Sequence, residues 1–311
     1  MKKVVLLALA VAVLRLDAQP SADRFSVIDR LMEEAITATL TPGAVVLIGR
    51  GDEVLYEKAY GRRALVTAVE PMTTDTIFDL ASLTKVVATT TAVMRLIEQG
   101  RIRLNDSVAS VIPGFERYGK GDITVRHLLT HVSGLRPDVD LDPWEGYDTA
   151  IELARDEVPT SAPGERFVYS DINFFLLGDI VSRTSGRPLD QYAREEIFEP
   201  LGMIDTQFKP PASKLPRIAP TERCERMDSA PCNAPQAPVL RGVVHDPTSR
   251  RMGGVAGHAG LFSTARDLSR FVGMLLAGGH RGTIRVLSAA TIAKMSSPAT
   301  PAGMAAVRGL G

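Results

Sequence analysis

A single β-ribbon in a chain otherwise dominated by helical patterns limits the fold more than any other feature. GAVVLIGRGDEVLYEKAYGRRA, residues 43 to 64, has β-forming runs on either side of a turn at Arg50-Gly51-Asp52. Val45, Val46 and Ile48 favour extended backbone, Leu47 continues the apolar run, and Gly49 and Gly51 supply turn geometry. Seven stretches instead show helical apolar spacing: 84–99, 125–131, 149–157, 172–184, 189–198, 268–276 and about 288–295. Gly100, Gly186 and Gly278-Gly279 supply stops, and Thr264-Ala-Arg-Asp267 resembles a capping box. Residues 209–249 are proline-rich and aperiodic, which predicts a long surface loop. A two-stranded ribbon is marginal on its own. Either some loops hide strands, or sequence beyond VRGLG at the chain end completes the sheet. The expected class is α+β, with an antiparallel sheet flanked by helices and the closing C-terminal strands absent.

The 311 residues suffice for one large domain, and 45% apolar against 23% charged residues is the balance of a globular chain with a real core. Basic and acidic residues number 36 each, so no charge excess points to nucleic acid or to an anionic membrane surface. MKKVVLLALAVAVLRLDA, residues 1 to 18, reads as an export signal. Lys2 and Lys3 precede an apolar run from Val4 to Leu14 that is too short to span a bilayer, and cleavage is expected after Ala18 or Ala22. The expectation is an exported, periplasmic or secreted protein, with residues 19–311 as one domain and no transmembrane helix in the mature chain. Cys224 and Cys232 share a polar loop. An oxidising compartment favours a local disulfide over two free thiols, and two cysteines do not complete a tetrahedral metal set.

Only 8 of the 36 basic residues are lysine, and one of them is oddly placed. Lys85 lies at the start of an apolar helix, where the macrodipole opposes its charge, three residues after Ser82. Positions i and i+3 share a helix face, so the two side chains can touch. Apolar Leu83, Val86 and Val87 and the dipole both disfavour an ammonium, and a neutral amine can take a hydroxyl proton. Free N–H groups at a helix start can stabilise an oxyanion. With 18 serines and 8 lysines the S-x-x-K pair also arises by chance. Tyr169-Ser170-Asp171 adds a second element. It follows a Pro-Gly turn and precedes the apolar helix INFFLLGDIV, so the Tyr169 phenol can project into a cleft and share a proton with Ser82 and Lys85.

Four segments, IFDLASLTKVVATT, ITVRHLLTHVSGL, PGERFVYSDINFFLLGDIVSRTSGRPLDQYAREEIFEPLGM and GGVAGHAGLFSTARDLSRFV, together resemble the class C β-lactamase-like serine hydrolases. That family also holds low-molecular-weight penicillin-binding proteins, D-alanyl-D-alanine carboxypeptidases and esterases. The resemblance implies a β-lactamase/transpeptidase-like fold, Ser82 as acylated nucleophile, Lys85 as proton acceptor or relay, and Tyr169 as general base partner. It implies no metal and no organic cofactor, and an amide or ester substrate: a D-alanyl peptide, a β-lactam, another peptidoglycan-derived molecule or a small ester. A non-catalytic penicillin- or peptidoglycan-binding relative that traps or senses ligand is the alternative. Asp171 stands where the family usually has asparagine, as a substrate-binding position, and an ionised acid cannot donate the amide hydrogen bond. It can instead pair with Lys85 and change which residue is the base. The family's third motif, Lys- or His-x-Gly on a late strand, finds His258-Ala259-Gly260 here, followed by a capped helix rather than a strand. The chain therefore looks C-terminally incomplete, lacking one oxyanion donor, a loss on the order of 10²–10³ in rate. It is expected to be weak, inactive or poorly folded by itself.

Other residues receive structural readings. His127 and His131, one helical turn apart, lack a third ligand and the glutamate of a zincin. Asp79, Asp106 and Asp122 near helix starts read as caps. Trp144 lines a loop or simply packs. Gly253, Gly254, Gly257 and Gly260 make no phosphate loop, and no Gly-x-Ser-x-Gly elbow is present.

Overall fold

The computed structural model describes residues 22–141, 143–223 and 239–311. The export segment and both cysteines lie outside these residues. After helix α1 (Ser26–Thr37) comes the expected ribbon, strands β1 (Gly43–Arg50) and β2 (Glu53–Ala64). The register runs from Gly43 opposite Gly61 to Arg50 opposite Glu53, with an irregularity at Ile48/Gly49. The ribbon does find a neighbour, the two-residue β3 (Glu70–Pro71), in the order β1-β2-β3. Strand β4 (Phe78–Asp79) leads into a π-helical turn, Lys85–Thr90, and then α2 (Thr91–Glu98). π-Turns within helices concentrate at functional sites.

The helical region follows as α3 (Val125–Leu129), α4 (Tyr147–Asp156), α5 (Asp171–Ser185), α6 (Leu189–Ala193) and α7 (Glu199–Leu201), with a π-turn at Arg194–Phe198. Helix α5 is the hub: every residue from Ile172 to Val181 is buried, and α2, α3, α4 and α6 pack around it. A helix apolar all round belongs in a core rather than on a surface. Left-handed Gly186 ends it, as the stop signal required.

The stretch 209–249 corrects the surface-loop expectation. Strand β5 (Gln207–Phe208) precedes it, and its described part holds β6 (Glu222–Arg223), β7 (Val239–Leu240) and the start of α8 (Pro247–Arg251). Ile218 and Val244 are buried with Ile77, Ala259 and Phe262 in a second apolar cluster. The apolar residues here are too widely spaced to show a period, but folding gathers them. A second correction concerns His258-Ala259-Gly260. A strand does follow it, β8 (Leu261–Ser263), which is the centre of a sheet ordered β4-β8-β5. Three residues are too few to signal a strand in sequence. Helix α9 (Ala265–Leu276) then packs on β1. Its Thr264 cap accepts from the Asp267 amide at 3.1 Å, whereas the Asp267 carboxylate turns to the Asp205 amide and the Thr206 hydroxyl. Strands β9 (His280–Arg281) and β10 (Ile284–Arg285) and helix α10 (Ala289–Ser296) close the described chain.

Helix α1 buries none of its residues fully, so polar contacts matter to its docking on β2. Asp29 accepts from Lys58 at 2.5 Å and from the hydroxyls of Tyr56 and Tyr60 at 2.8 and 2.6 Å. These bonds hold its carboxyl down at about 2, Lys58 contributing most, then Tyr60 and Tyr56. A depressed carboxyl stabilises the folded state above its ordinary value of 3.8 and loses that effect as pH falls towards 2. Hydrogen-exchange protection factors in α1 are expected to drop between pH 4 and pH 2 while those of α5 persist. Equal loss in both helices would contradict this local role.

Candidate active site

The site lies where three chain segments meet: the turn after β4, the N-terminus of α5 and the approach to β8. Asp79 begins it. One carboxylate oxygen accepts from the Ala81 amide at 2.8 Å and the other from the His245 amide at 2.7 Å. The cap expected of Asp79 is thus a turn anchor. It holds Ala81 in the left-handed region, at φ 45°, and so swings Ser82 into the open. Among the described residues the Ser82 amide finds no acceptor, which leaves it free to meet an oxyanion.

The predicted i, i+3 contact is present. Lys85 Nζ donates to Ser82 Oγ at 2.9 Å, although Ser82 is exposed and Lys85 only 2% exposed. The amine also donates to the His258 carbonyl at 3.2 Å, and it lies 2.6 Å from Asp171 Oδ1 as an ion pair without a directed hydrogen bond. The alternative open in the sequence, Asp171 paired with Lys85, is the arrangement present, and the same amine donates to the serine. Asp171, at the first turn of α5, supplies the carboxylate.

Tyr169 is brought to the same place. Its ring lies under Lys85, with Nζ 4.8 Å from the centroid, and it is 40% exposed. His131 fixes it. The His131 carbonyl accepts from the Val168 amide at 2.9 Å, its Nδ1 accepts from the Ser170 amide at 3.0 Å, and its imidazole stacks on the Tyr169 ring at 4.5 Å. Burial, then the positive charges of Lys85 and Arg308, push His131 down to about 3, so it stays neutral and Nδ1 remains an acceptor. His127 instead caps its own helix, accepting from the Thr124 amide at 3.2 Å. The two histidines therefore do structural work and do not face each other as ligands. Trp144 packs, donating to the Asp140 carbonyl at 2.9 Å beneath Arg251.

Asp246 was not legible as a site neighbour. Asp246-Pro247 signals a helix start, and the residue does cap α8 through the Ser249 amide at 2.7 Å. It also binds His258 Nε2 at 2.8 Å, and His258 is 1% exposed. Burial alone would raise the Asp246 carboxyl. The bond and charge of His258, the Ser249 amide and the nearby Lys85 outweigh it and hold the group below its ordinary range. Asp171, Asp246 and His258 bring their polar atoms within 4.8 Å of one another. The Lys85 ammonium already occupies the Asp171 side of that group, which makes it a poor cation site. Two larger grooves, of about 400 Å³ between β1 and α9 and about 420 Å³ beside Gly254 and Phe262, include none of these residues.

A family model described as Beta-lactamase matches residues 28–311. The chain is 31% identical over 297 residues to an Escherichia coli (strain K12) protein provisionally named D-alanyl-D-alanine carboxypeptidase, a match covering 88% of this chain and 68% of the relative. A penicillin-binding protein homolog from Caulobacter crescentus shares the fold with a TM-score of 0.71 at 26% identity, over 89% of this chain and 76% of that one. The octameric penicillin-binding protein homologue from Pyrococcus abyssi gives 0.72 at 25% identity, over 93% and 64%. Fold and site together define a serine hydrolase of the penicillin-binding and carboxypeptidase type. The chain belongs to the β-lactamase family.

Proposed function

We propose that this chain is an exported serine hydrolase that works through an acyl-enzyme at Ser82, with D-alanyl peptides as the favoured substrate class. The observation that carries the reading is the 2.9 Å contact between Lys85 Nζ and an exposed Ser82 Oγ, with Asp171 and Tyr169 around the amine. The carboxypeptidase name of the E. coli relative supports the substrate class. The basic start and short apolar run of residues 1–18 support export.

In the proposed reaction Ser82 Oγ bonds to the substrate carbonyl carbon, and the carbonyl electron pair moves onto oxygen beside the free Ser82 amide. The hydroxyl proton passes to a Lys85 amine that has given its own extra proton to Asp171, and then travels on to the departing amine as the C–N bond breaks. Tyr169 is the partner that activates water for deacylation. Before that transfer the Asp171 carboxylate can accept from an N–H of the substrate, and while it holds the lysine's proton it is a donor instead.

A fluorescent penicillin or fluorophosphonate, followed by intact mass and peptide mapping, tests this. The expected result is one adduct per chain, on Ser82, lost in Ser82→Ala. A transient penicillin adduct fits turnover, and a permanent one points to a binding relative. Labelling elsewhere, or none, defeats the acyl-enzyme reading.

A further inference from the structure

We propose that Asp246 and His258 form a positioning pair that aims Lys85 at Ser82. This rests on the acyl-enzyme reading above and assigns the pair no contact with substrate.

Lys85 has a third polar neighbour besides Ser82 and Asp171, the His258 carbonyl. A carboxylate 2.6 Å away would draw the ammonium towards Asp171 and off the serine. The His258 carbonyl, at 3.2 Å from Nζ, provides a neutral hold that competes with that pull. A carbonyl can do so only if its backbone is fixed, and the segment is fastened on both sides of His258, at residues 257, 259 and 261. The Thr89 hydroxyl donates to the Gly257 carbonyl at 2.7 Å, and the Ser249 hydroxyl to the Ala259 carbonyl at 2.9 Å. The Leu261 amide donates to Thr84 Oγ1 at 3.1 Å, and the Leu80 amide to the Leu261 carbonyl at 2.9 Å. Thr84 lies within the Ser82–Lys85 turn and Leu80 and Thr89 flank it, so the segment that carries the acceptor and the turn that carries the donor are one rigid unit.

Within this lacing the buried side chain of His258 links the segment to α5 and to α8. Its ring packs on Phe175 of α5 at 4.6 Å, and its Nε2–H is tied to Asp246 at 2.8 Å. Asp246 is itself immobile because it caps α8. The charge at Asp246 therefore fixes the ring, the ring fixes the residue-258 backbone, and that backbone holds the amine. A 1 Å misplacement of a reacting group costs up to about 10²-fold in rate, and this chain of contacts sets such a placement.

The test is the rate of fluorophosphonate acylation of Ser82 in the full chain, resolved into kinact and KI and normalised to folded protein by circular dichroism and thermal melting. His258→Ala and Asp246→Asn leave the α8 cap intact, since asparagine also caps. Both are expected to lower kinact on the order of 10–10²-fold with KI unchanged. His258→Gln, which keeps an N–H donor for Asp246, should recover most of the loss. Variants that are folded and label at the wild-type kinact overturn the proposal, as does a loss proportional only to unfolded protein. Failure of His258→Gln to recover any rate while folded also overturns it. Absence of label on the wild-type chain is a different result: it defeats the acyl-enzyme reading beneath this inference, and the inference with it.

Discussion

Lys85→Met is expected to slow acylation of Ser82 on the order of 10²–10⁴-fold, the range of a lost general base or relay. The methionine fills similar volume in a site where the lysine is only 2% exposed, so packing is largely kept. What disappears is the hydrogen bond to Ser82 and the counter-ion of Asp171. Removing one partner of a buried ion pair destabilises by about 3 kcal/mol or more, and partial solvation of Asp171, whose side chain is 22% exposed, reduces that figure here. Lys85→Arg separates the two effects. A guanidinium keeps the positive charge for Asp171 but does not surrender a proton near neutral pH. The arginine variant should therefore regain stability in urea titrations and remain slow in labelling. An arginine variant as fast as wild type would show that the amine acts only as a fixed charge.

The second large effect is expected at Gly257. Its φ is not left-handed, so the constraint is space alone. A methyl group there would lie 2.0 Å from the Phe174 carbonyl oxygen and 3.1 Å from the Gly178 amide, both backbone atoms of the buried helix α5. Backbone cannot yield as a side-chain tip can, so Gly257→Ala should cost more than about 3 kcal/mol or prevent accumulation of folded protein. Gly121→Ala is the matched control. Its added methyl meets nothing within 4 Å and its φ is ordinary, so its urea midpoint should stay within about 0.5 kcal/mol of wild type. If Gly257→Ala folded with unchanged stability, the close approach of residue 257 to α5, which carries His258 to the lysine, could not be as described.

The two substitutions probe different kinds of information. Ser82 and Lys85 are three residues apart, so helical geometry alone brings them into contact, and that contact was legible in the chain. The ribbon at 43–64, the α5 helix with its Gly186 stop, and the Thr264 cap were legible for the same reason: each is a local pattern with a local cause. The placement of Tyr169 and Asp171 near the amine followed from a resemblance, and no spacing in the sequence could have supplied it.

Position 85 shows where that legibility stops. The dipole and the apolar neighbours are the local part of its surroundings. Folding then set Asp171 at 2.6 Å, and the carbonyl of His258, 173 residues away in sequence, at 3.2 Å. The same holds for Asp246, visible as a helix cap but not as the partner of His258, and for His131, whose hold on Tyr169 depends on a loop crossing. By itself the sequence determined the serine–lysine contact, the ribbon and the helical stretches after residue 83, though not α1 or α8, because neighbours along the chain meet whatever the rest does. Only the tertiary structure decided whether Asp171 meets the lysine and what else holds the amine, because electrostatics within a few ångströms depends on which distant segments the packing of Gly257 against α5 brings together.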